Sequence, residues 1–286
     1  MAKILKGADV AAAINEKTRK KVAVLGGSGI EPCMAVLRVG DRPDDIAYEK
    51  SAVKHCENVG IEVKKVILPQ DVTQKRLMQE IETLNNDDAV HGVLMFRPLP
   101  RDLDEKAACA ALDPEKDIDG ITDMSLAGVF TGSGTGFAPC TAQAAMEVLD
   151  FYSVKCKGAK AVVLGRSLVI GKPAAMMLLD RNATVTVCHS KTEDLNSTLK
   201  AADIIVAAAG KAGIVGAGAL REGQTVIDVG INFDENGKMC GDVSPDAEQV
   251  TDAYTPVPGG VGTVTTAVLV SHVAAAAEKK LKTAQS

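Results

Sequence analysis

Residues Ala161–Leu178 read AVVLGRSLVIGKPAAMML: an apolar run of strand length, a turn carrying Gly165, and a helical pattern from Lys172 to Asp180. A chain that passes directly from strand to helix aims free N–H groups and the positive end of the helix dipole at one point. That point suits a phosphate or pyrophosphate. Neither common fingerprint is present. GxGxxG is absent, five residues separate Gly165 from Gly171, and Pro173 stands where a P-loop needs a hydroxyl for Mg²⁺. An ordinary strand–helix corner fits the same text, which alone does not separate the two readings.

The next strand tips the balance. ATVTVCHSKT (Ala183–Thr192) ends on His189, Ser190 and Lys191, without the acidic residue that usually holds an NAD ribose. Together with Arg166 these are cations and hydroxyls suited to a 2′-phosphate, so NADP is expected over NAD. Further strands at Ile204–Ala208 and Val226–Val229, with a helix near Leu195–Ala201 between β-type runs, extend the alternation. The N-terminal half repeats it: a helix over about Gly7–Leu25, a strand at Met34–Val39, and a helix from about Asp45 to Val59, capped by Asp44 or Asp45 and ended by Gly60. A strand at Ile61–Leu68, a helix over Thr73–Asn85 and a strand at Gly92–Phe96 follow. This is βαβ arithmetic and predicts an α/β fold with mostly parallel sheets. Between Pro98 and Pro139 the text is rich in Pro, Gly and Asp and reads as functional loop. A helix over about Thr141–Tyr152 precedes the second alternation, and Thr265–Lys282 reads as a closing helix.

Composition narrows the partners. The chain has 286 residues, 46% of them apolar, and 32 basic against 37 acidic residues leave a net charge of −5. That length suits one large or two modest domains. The charge supplies no global attraction to nucleic acid or anionic membrane. No leader sequence and no spanning segment are expected, and the seven scattered cysteines form no CxxC pair. We expect reduced thiols in a soluble cytoplasmic protein without a metal.

With these pieces placed, the chain resembles the FolD family of methylenetetrahydrofolate dehydrogenase/methenyltetrahydrofolate cyclohydrolases over nearly its whole length. The text that carries the resemblance includes AVLRVGDRPD near Met34, Tyr48 on the following helix, PLP at Pro98–Pro100 and PEKDIDG at Pro114–Gly120. It continues in PCT at Pro139–Thr141, VVLGRSLVIGKP, CHSKT, GKAG at Gly210–Gly213, VIDVGIN at Val226–Asn232 and TPVPGGVGT at Thr255–Thr263.

The resemblance implies an N-terminal α/β substrate domain over 1–142, completed by the helix at 265–286, and a Rossmann-like NADP-binding domain over 143–264. It further implies a cleft between them and a homodimer. Tyr48 and Asp119 are the implied catalytic-site residues. Asp119 would receive the pterin edge and Tyr48 would flank the folate, with Pro98, Leu99, Pro258, Gly259 and Gly260 lining the tetrahydrofolate derivative. The cofactor would lie on Gly165, Arg166, Ser167, Gly171, Lys172 and Pro173, with His189, Ser190, Gly210 and Ile231. Read singly, an Asp in a loop usually caps the loop, and a Tyr on a helix is usually core.

The chain also departs from the family. Its pattern carries a Lys one helical turn after the Tyr, where this chain has Ala52; Lys50 and Lys54 each lie about 200° around the helix from that position. Phe96 replaces a Gln, Arg97 a Leu and Asp45 a Ser; Ala142, Ala144 and Thr263 are lesser departures. Removing hydride from the carbon bridging N5 and N10 requires alignment but no proton transfer. Opening the methenyl cation with water requires a proton acceptor and a proton donor. The expectation is therefore an NADP-dependent dehydrogenase with weak or absent cyclohydrolase activity. The alternatives are the ordinary bifunctional enzyme, a different pterin substrate, and a catalytically silent pterin- and NADP-binding protein. Asp45, at the start of the Tyr48 helix, is a candidate replacement base.

Overall fold

The computed structural model describes residues 2–285; Met1 and Ser286, the outer limits of the expected domain ranges, lie outside the described residues. In chain order the elements are β1 (Lys3–Ile4), α1 (Gly7–Gly27), β2 (Cys33–Val39), α2 (Pro43–Val59), β3 (Glu62–Leu68), α3 (Gln74–Asn86) and β4 (Gly92–Met95). Then come α4 (Glu105–Ala111), α5 (Asp123–Thr131), α6 (Cys140–Phe151), β5 (Lys160–Leu164), α7 (Gly171–Asp180), β6 (Thr184–Cys188) and α8 (Leu195–Ala201). β7 (Ile204–Ala207), β8 (Thr225–Asp228), β9 (Asn232–Phe233), β10 (Met239–Cys240), β11 (Ala253–Tyr254) and α9 (Val261–Gln285) complete the chain. The chain divides into two units, and the division falls inside α1 and α9.

One unit holds residues 13–138 and the chain from 266 onward. Its sheet has the order β3-β2-β4, parallel throughout. Every residue of the central strand β2 is buried, which explains its nearly unbroken apolar text. Ala35, Leu37 and Val39 pack with Leu77, Ile81 and Leu84 of α3 and with Val93 and Met95 of β4. Arg38 is the charged exception on β2. Its Nε donates to Glu49 at 2.9 Å and its Nη1 to Asp41 at 2.9 Å and to the Gly40 carbonyl, while Lys65 reaches Glu49 at 2.9 Å. Burial alone would raise the Glu49 carboxyl, but hydrogen bonds from Lys65 and Arg38 hold it below its ordinary range.

The other unit holds residues 2–12 and 139–265 around a six-stranded sheet of order β1-β11-β8-β7-β5-β6. All its pairings are parallel. Val162, Leu164, Ile205, Ala207 and Val226 meet Leu199 of α8 and Tyr254 of β11 in its core. Strand order reverses between β5 and β7, and such a switch point opens a crevice at the carboxyl ends of the strands.

Residues 2–12 group by contact with the six-stranded unit because Lys3 and Ile4 pair with Ala253 and Tyr254, and two expectations of local structure need correction. A two-residue strand carries no periodicity, so its distant partner left no trace in the sequence. The α2 helix is not capped by Asp44 or Asp45. Pro43 occupies its first turn after Arg42, where a missing N–H is harmless. The stretch from Pro98 to Pro139, expected as loop, contains α4 and α5, capped by the side chains of Asp104 and Thr122. Gly60 does end α2 in the left-handed region, at φ 81°. Among the described residues one stretch, Val261–Thr283 of α9, is long and apolar enough to cross a membrane by composition, and much of it is buried in the fold.

Candidate active site

The strand–helix turn is built by backbone contact. Gly165 has φ +131°, and a Cβ there would run into the carbonyl oxygen of Ala208 at the end of β7; one on Gly171 would run into the carbonyl oxygen of Gly165. Ser167 Oγ accepts the N–H of Ile170 at 3.1 Å and that of Gly171 at 3.5 Å, closing the loop over the start of α7. Arg166, Ser167 and Lys172 are exposed, and Pro173 is buried in the first helical turn.

The expected 2′-phosphate group lies alongside. Leu164 pairs with Cys188, and the Gly165 N–H donates to the Cys188 carbonyl at 2.9 Å, so the residues after β5 and those after β6 leave neighbouring strand ends. His189 and Thr192 close a turn: the His189 N–H donates to Thr192 Oγ1 at 2.8 Å, and the Lys191 N–H donates to His189 Nδ1 at 3.1 Å. The imidazole therefore has Nε2 as its donor. Ser190 and Lys191 are exposed. Arg166 thus follows directly on a residue bonded to β6.

On the far side of the switch point, the ends of β8 and β11 border a cavity of about 260 Å³ lined by Asp228–Ile231, Met239 and Pro256–Thr263. Of the expected residues, Ile231, Pro258, Gly259 and Gly260 line it; Gly210 lies in the loop after β7 with φ +64°. The Gly7 N–H donates to the Gly259 carbonyl at 2.8 Å, and a Cβ on Gly7 would run into the Gly260 carbonyl oxygen. The first turn of α1 thereby holds the Pro256–Gly260 loop. Two residues here were not singled out in the sequence. Asp228 and Asp242 are buried carboxylates surrounded by backbone amides. Their only signal was an acidic residue closing each of the apolar or Gly-rich texts VID and CGD.

In the other unit, Tyr48 on α2 and Phe96 after β4 meet edge to face, with ring centroids 5.8 Å apart. Phe96 is buried and its N–H donates to the Leu37 carbonyl at 2.9 Å, continuing the β4 pairing. Ala52, one turn beyond Tyr48, is wholly buried, whereas Lys50 and Lys54 are exposed. Asp45 is committed elsewhere: Arg42 donates to both of its oxygens, each at 2.8 Å. Arg97 lies within 3.9 Å of Glu105, which also accepts the Leu99 N–H at 2.8 Å. Leu99 is buried and Pro98 exposed.

The two aspartates of the DIDG text separate in role. Asp117 is fully buried and accepts the Ile121 N–H, the Thr122 N–H and the Ser125 hydroxyl at 3.0, 2.8 and 2.7 Å, so it is the loop cap. Asp119 is half-buried. Between them, the Ile118 carbonyl meets Nδ1 of His272 at 2.8 Å, and the His272 ring packs against Phe137 at 4.8 Å. Burial pushes His272 down to about 4, so the imidazole is neutral at pH 7. His272 is a support that no spacing revealed, because it lies 154 residues from its partner. Among the described residues no cluster of His, Cys, Asp and Glu could hold a metal ion.

Known proteins of similar sequence share this fold. The family model described as tetrahydrofolate dehydrogenase/cyclohydrolase, catalytic domain, matches residues 5–119, and that described as the NAD(P)-binding domain of the same family matches residues 139–281. A bifunctional protein FolD of Clostridium kluyveri is 46% identical over 283 residues, covering 99% of this chain and 100% of the relative. The crystal structure of the bifunctional FolD of Campylobacter jejuni superposes with a TM-score of 0.95 at 38% identity, covering 98% of this chain and 100% of that one. The Trypanosoma brucei FolD, solved with NADP cofactor and inhibitor, gives a TM-score of 0.90 at 34% identity over 98% of both chains.

Proposed function

Because the chain belongs to the tetrahydrofolate dehydrogenase/cyclohydrolase family, we propose that it is an NADP-dependent dehydrogenase converting 5,10-methylenetetrahydrofolate to 5,10-methenyltetrahydrofolate. The observation that carries this reading is the Gly165 turn with Arg166 on it and His189, Ser190 and Lys191 leaving the adjacent strand. The Gly165–Gly171 turn receives the pyrophosphate, with Ser167, Lys172 and the start of α7 around it, and Pro173 supports the helix start. The basic group holds the 2′-phosphate. When bound, NADP⁺ supplies the hydride acceptor.

The chain's own part in that step is alignment. Asp119 accepts hydrogen bonds from the amino-pyrimidinone edge of the folate, and Tyr48 flanks its ring system with Pro98 and Leu99. Pro258, Gly259 and Gly260 offer backbone without a side chain in the way, and Gly210 and Ile231 border the cofactor. The seven cysteines are free thiols, as suits a cytoplasmic enzyme. A homodimer is the assembly that the resemblance implies, and sedimentation tests it.

The relatives favour the bifunctional form, in which the same site then hydrolyses the methenyl cation. Three observations favour a second reading, in which that step is slow. The attacking water must give up a proton and the leaving nitrogen must gain one. Ala52 has no proton to move, Phe96 packs a ring against Tyr48, and both Asp45 oxygens are taken by Arg42. Positioned acid–base groups are worth about 10²–10⁴-fold in such steps.

A single assay following NADPH and the methenyl absorbance together tests both. NADPH formation that depends on methylenetetrahydrofolate and prefers NADP⁺ to NAD⁺ is expected. Its absence, with both ligands still binding, would leave only a silent binding protein. Methenyl accumulation marks slow hydrolysis; disappearance at the rate of NADPH formation marks the ordinary bifunctional enzyme.

A further inference from the structure

Asp228 and Asp242 lie at the same carboxyl edge of the six-stranded sheet as the phosphate turn, on the β7–β8 side of the switch point. Asp242 is fully buried. Its Oδ2 accepts the N–H groups of Ala209 and Gly210, at 2.5 and 3.0 Å, and its Oδ1 accepts the Lys211 N–H at 2.8 Å and Nδ2 of Asn232 at 2.9 Å. Asp228, closing β8, accepts the N–H groups of Gly230, Asp242 and Val243 at 2.9, 3.0 and 2.9 Å. Its own N–H donates to Thr255 Oγ1 at 2.7 Å. The loops leaving β7 and β8 are thus fastened to one pair of side chains, and Thr255 after β11 is bonded to the Asp228 backbone. Gly230 and Gly241 press backbone onto the carboxylates, and a Cβ on either would run into Asp242 or Asp228 respectively.

This is a demanding way to tie loops together. Burial pushes Asp228 up to about 6, and the neighbouring Asp242 adds to the rise against the pull of three amide bonds. Apolar packing joins loops without burying two like charges. Carboxylates differ from apolar packing in dictating the direction of every N–H they accept, and so of the carbonyls beside them. Direction matters where a ligand reads backbone.

The topology says which ligand part lies there. If the 2′-phosphate end of the dinucleotide sits over β6 and the pyrophosphate over the β5–α7 turn, the molecule crosses the switch point, and its nicotinamide half falls over the ends of β7 and β8. There the cavity bounded by Asp228–Ile231 opens. We propose that Asp242, braced by Asp228, is a positioning residue for the nicotinamide half of NADP: it orients the backbone amides of residues 209–211 and the side chain of Asn232, while Asp228 holds the Gly230 amide, and neither acts as a catalytic group. The proposal rests on the NADP reading above.

The test compares binding of NADP⁺ with binding of 2′,5′-ADP, which carries only the adenosine and 2′-phosphate end, in the intact protein and in Asp242→Asn. An asparagine turns an NH₂ toward at least two of the four donors now facing Asp242. The expected result is a loss of NADP⁺ affinity of about tenfold or more, a matching rise in KM for NADP⁺, and little change in 2′,5′-ADP affinity or in KM for methylenetetrahydrofolate. Unchanged NADP⁺ affinity overturns the proposal. Equal loss of both ligands overturns it as well, since it would make Asp242 a brace for the whole unit. If Asp242→Asn does not fold, Asn232→Ala, which removes one donor from the same carboxylate, is expected to give a smaller loss with the same selectivity, and an unselective or absent loss sinks the idea. Parent protein that binds neither ligand would fail the NADP reading itself, an outcome distinct from any of these.

Discussion

The six-stranded unit and the three-stranded unit support their candidate ligand regions by different means. In the first, the support acts on backbone: Gly165 lies against Ala208 and Gly7 against Gly260, and the buried carboxylates of Asp228 and Asp242 take up amides. In the second, it is side chain against side chain: Tyr48 with Phe96, Arg38 with Glu49, His272 with Phe137. The difference bears on which parts of the proposed catalyst tolerate change. Binding a dinucleotide by its phosphates needs N–H groups in fixed places, and only particular glycines permit them. Proton transfer depends on side chains, and one substitution such as the alanine at position 52 can remove it while the helix stays intact.

If backbone geometry holds the cofactor, Gly165→Ala should be the most damaging single change, lowering NADP⁺ affinity by at least about 100-fold through the combined clash and φ strain. Calorimetry measures this, and folate binding should survive. Near-normal NADP⁺ affinity in that variant would break the contrast between the units.

The units also differ in pH response. His272 titrates at about 4 when folded and near 6.5 when unfolded, so its neutral burial favours folding fully above pH 6.5 and progressively less as pH falls toward 4. Asp228 runs the opposite way. With a folded value of about 6 against 3.8, its contribution is fully present below pH 3.8 and is lost as pH rises through 6. Each is worth about 3 kcal/mol at roughly 1.4 kcal/mol per pKa unit. Urea unfolding of His272→Gln between pH 6.5 and 4.5 should show a shallower acid loss than the parent, and Asp228→Asn a steeper one. Parallel pH profiles for both variants and the parent would remove this distinction.

Restoring side chains tests the other half of the comparison. In the doubly substituted Ala52→Lys, Phe96→Gln protein, methenyltetrahydrofolate hydrolysis should rise by about 10²-fold if the parent is slow, with dehydrogenase turnover far less affected. Little change, from a parent already fast, would show that another group carries the proton. The smallest effect is expected at the basic cluster. Ser190→Ala should narrow the preference for NADP⁺ over NAD⁺ by severalfold, to about tenfold, as one hydrogen bond to a charged phosphate is lost; the ratio of kcat/KM values measures it.

Much of this could be read from the chain as text. The alternation of strands and helices, the Gly165 turn and the grouping of Arg166 with His189 all follow from local pattern, and the structure brings these residues to adjacent strand ends. The Ala52 substitution is equally visible in the sequence, because helix period alone says that Lys50 and Lys54 cannot stand in for it. Some features had no local signature. The two-residue β1 belongs to a sheet completed 250 residues later, as Lys3 pairs with Ala253. Asp117 and Asp119 look alike in DIDG, and only burial and the Thr122 and Ser125 donors identify the first as the cap. The α2 start was misread because Asp44 and Asp45 resemble caps, while Pro43 had already set φ for the first turn.

Sequence alone, then, determined the main alternation of strands and helices, the glycine turn after β5 and the family, because strand and helix periods and the φ demands of glycine are properties of neighbouring residues. The tertiary structure decided which carboxylates are buried, which loops they join and which charges are already paired. Those outcomes depend on contacts between residues far apart in the chain, as when Asp242 takes up the amides of Ala209 and Lys211 and Glu49 is paired with Lys65. The energy of burying a charge is set by everything that surrounds it.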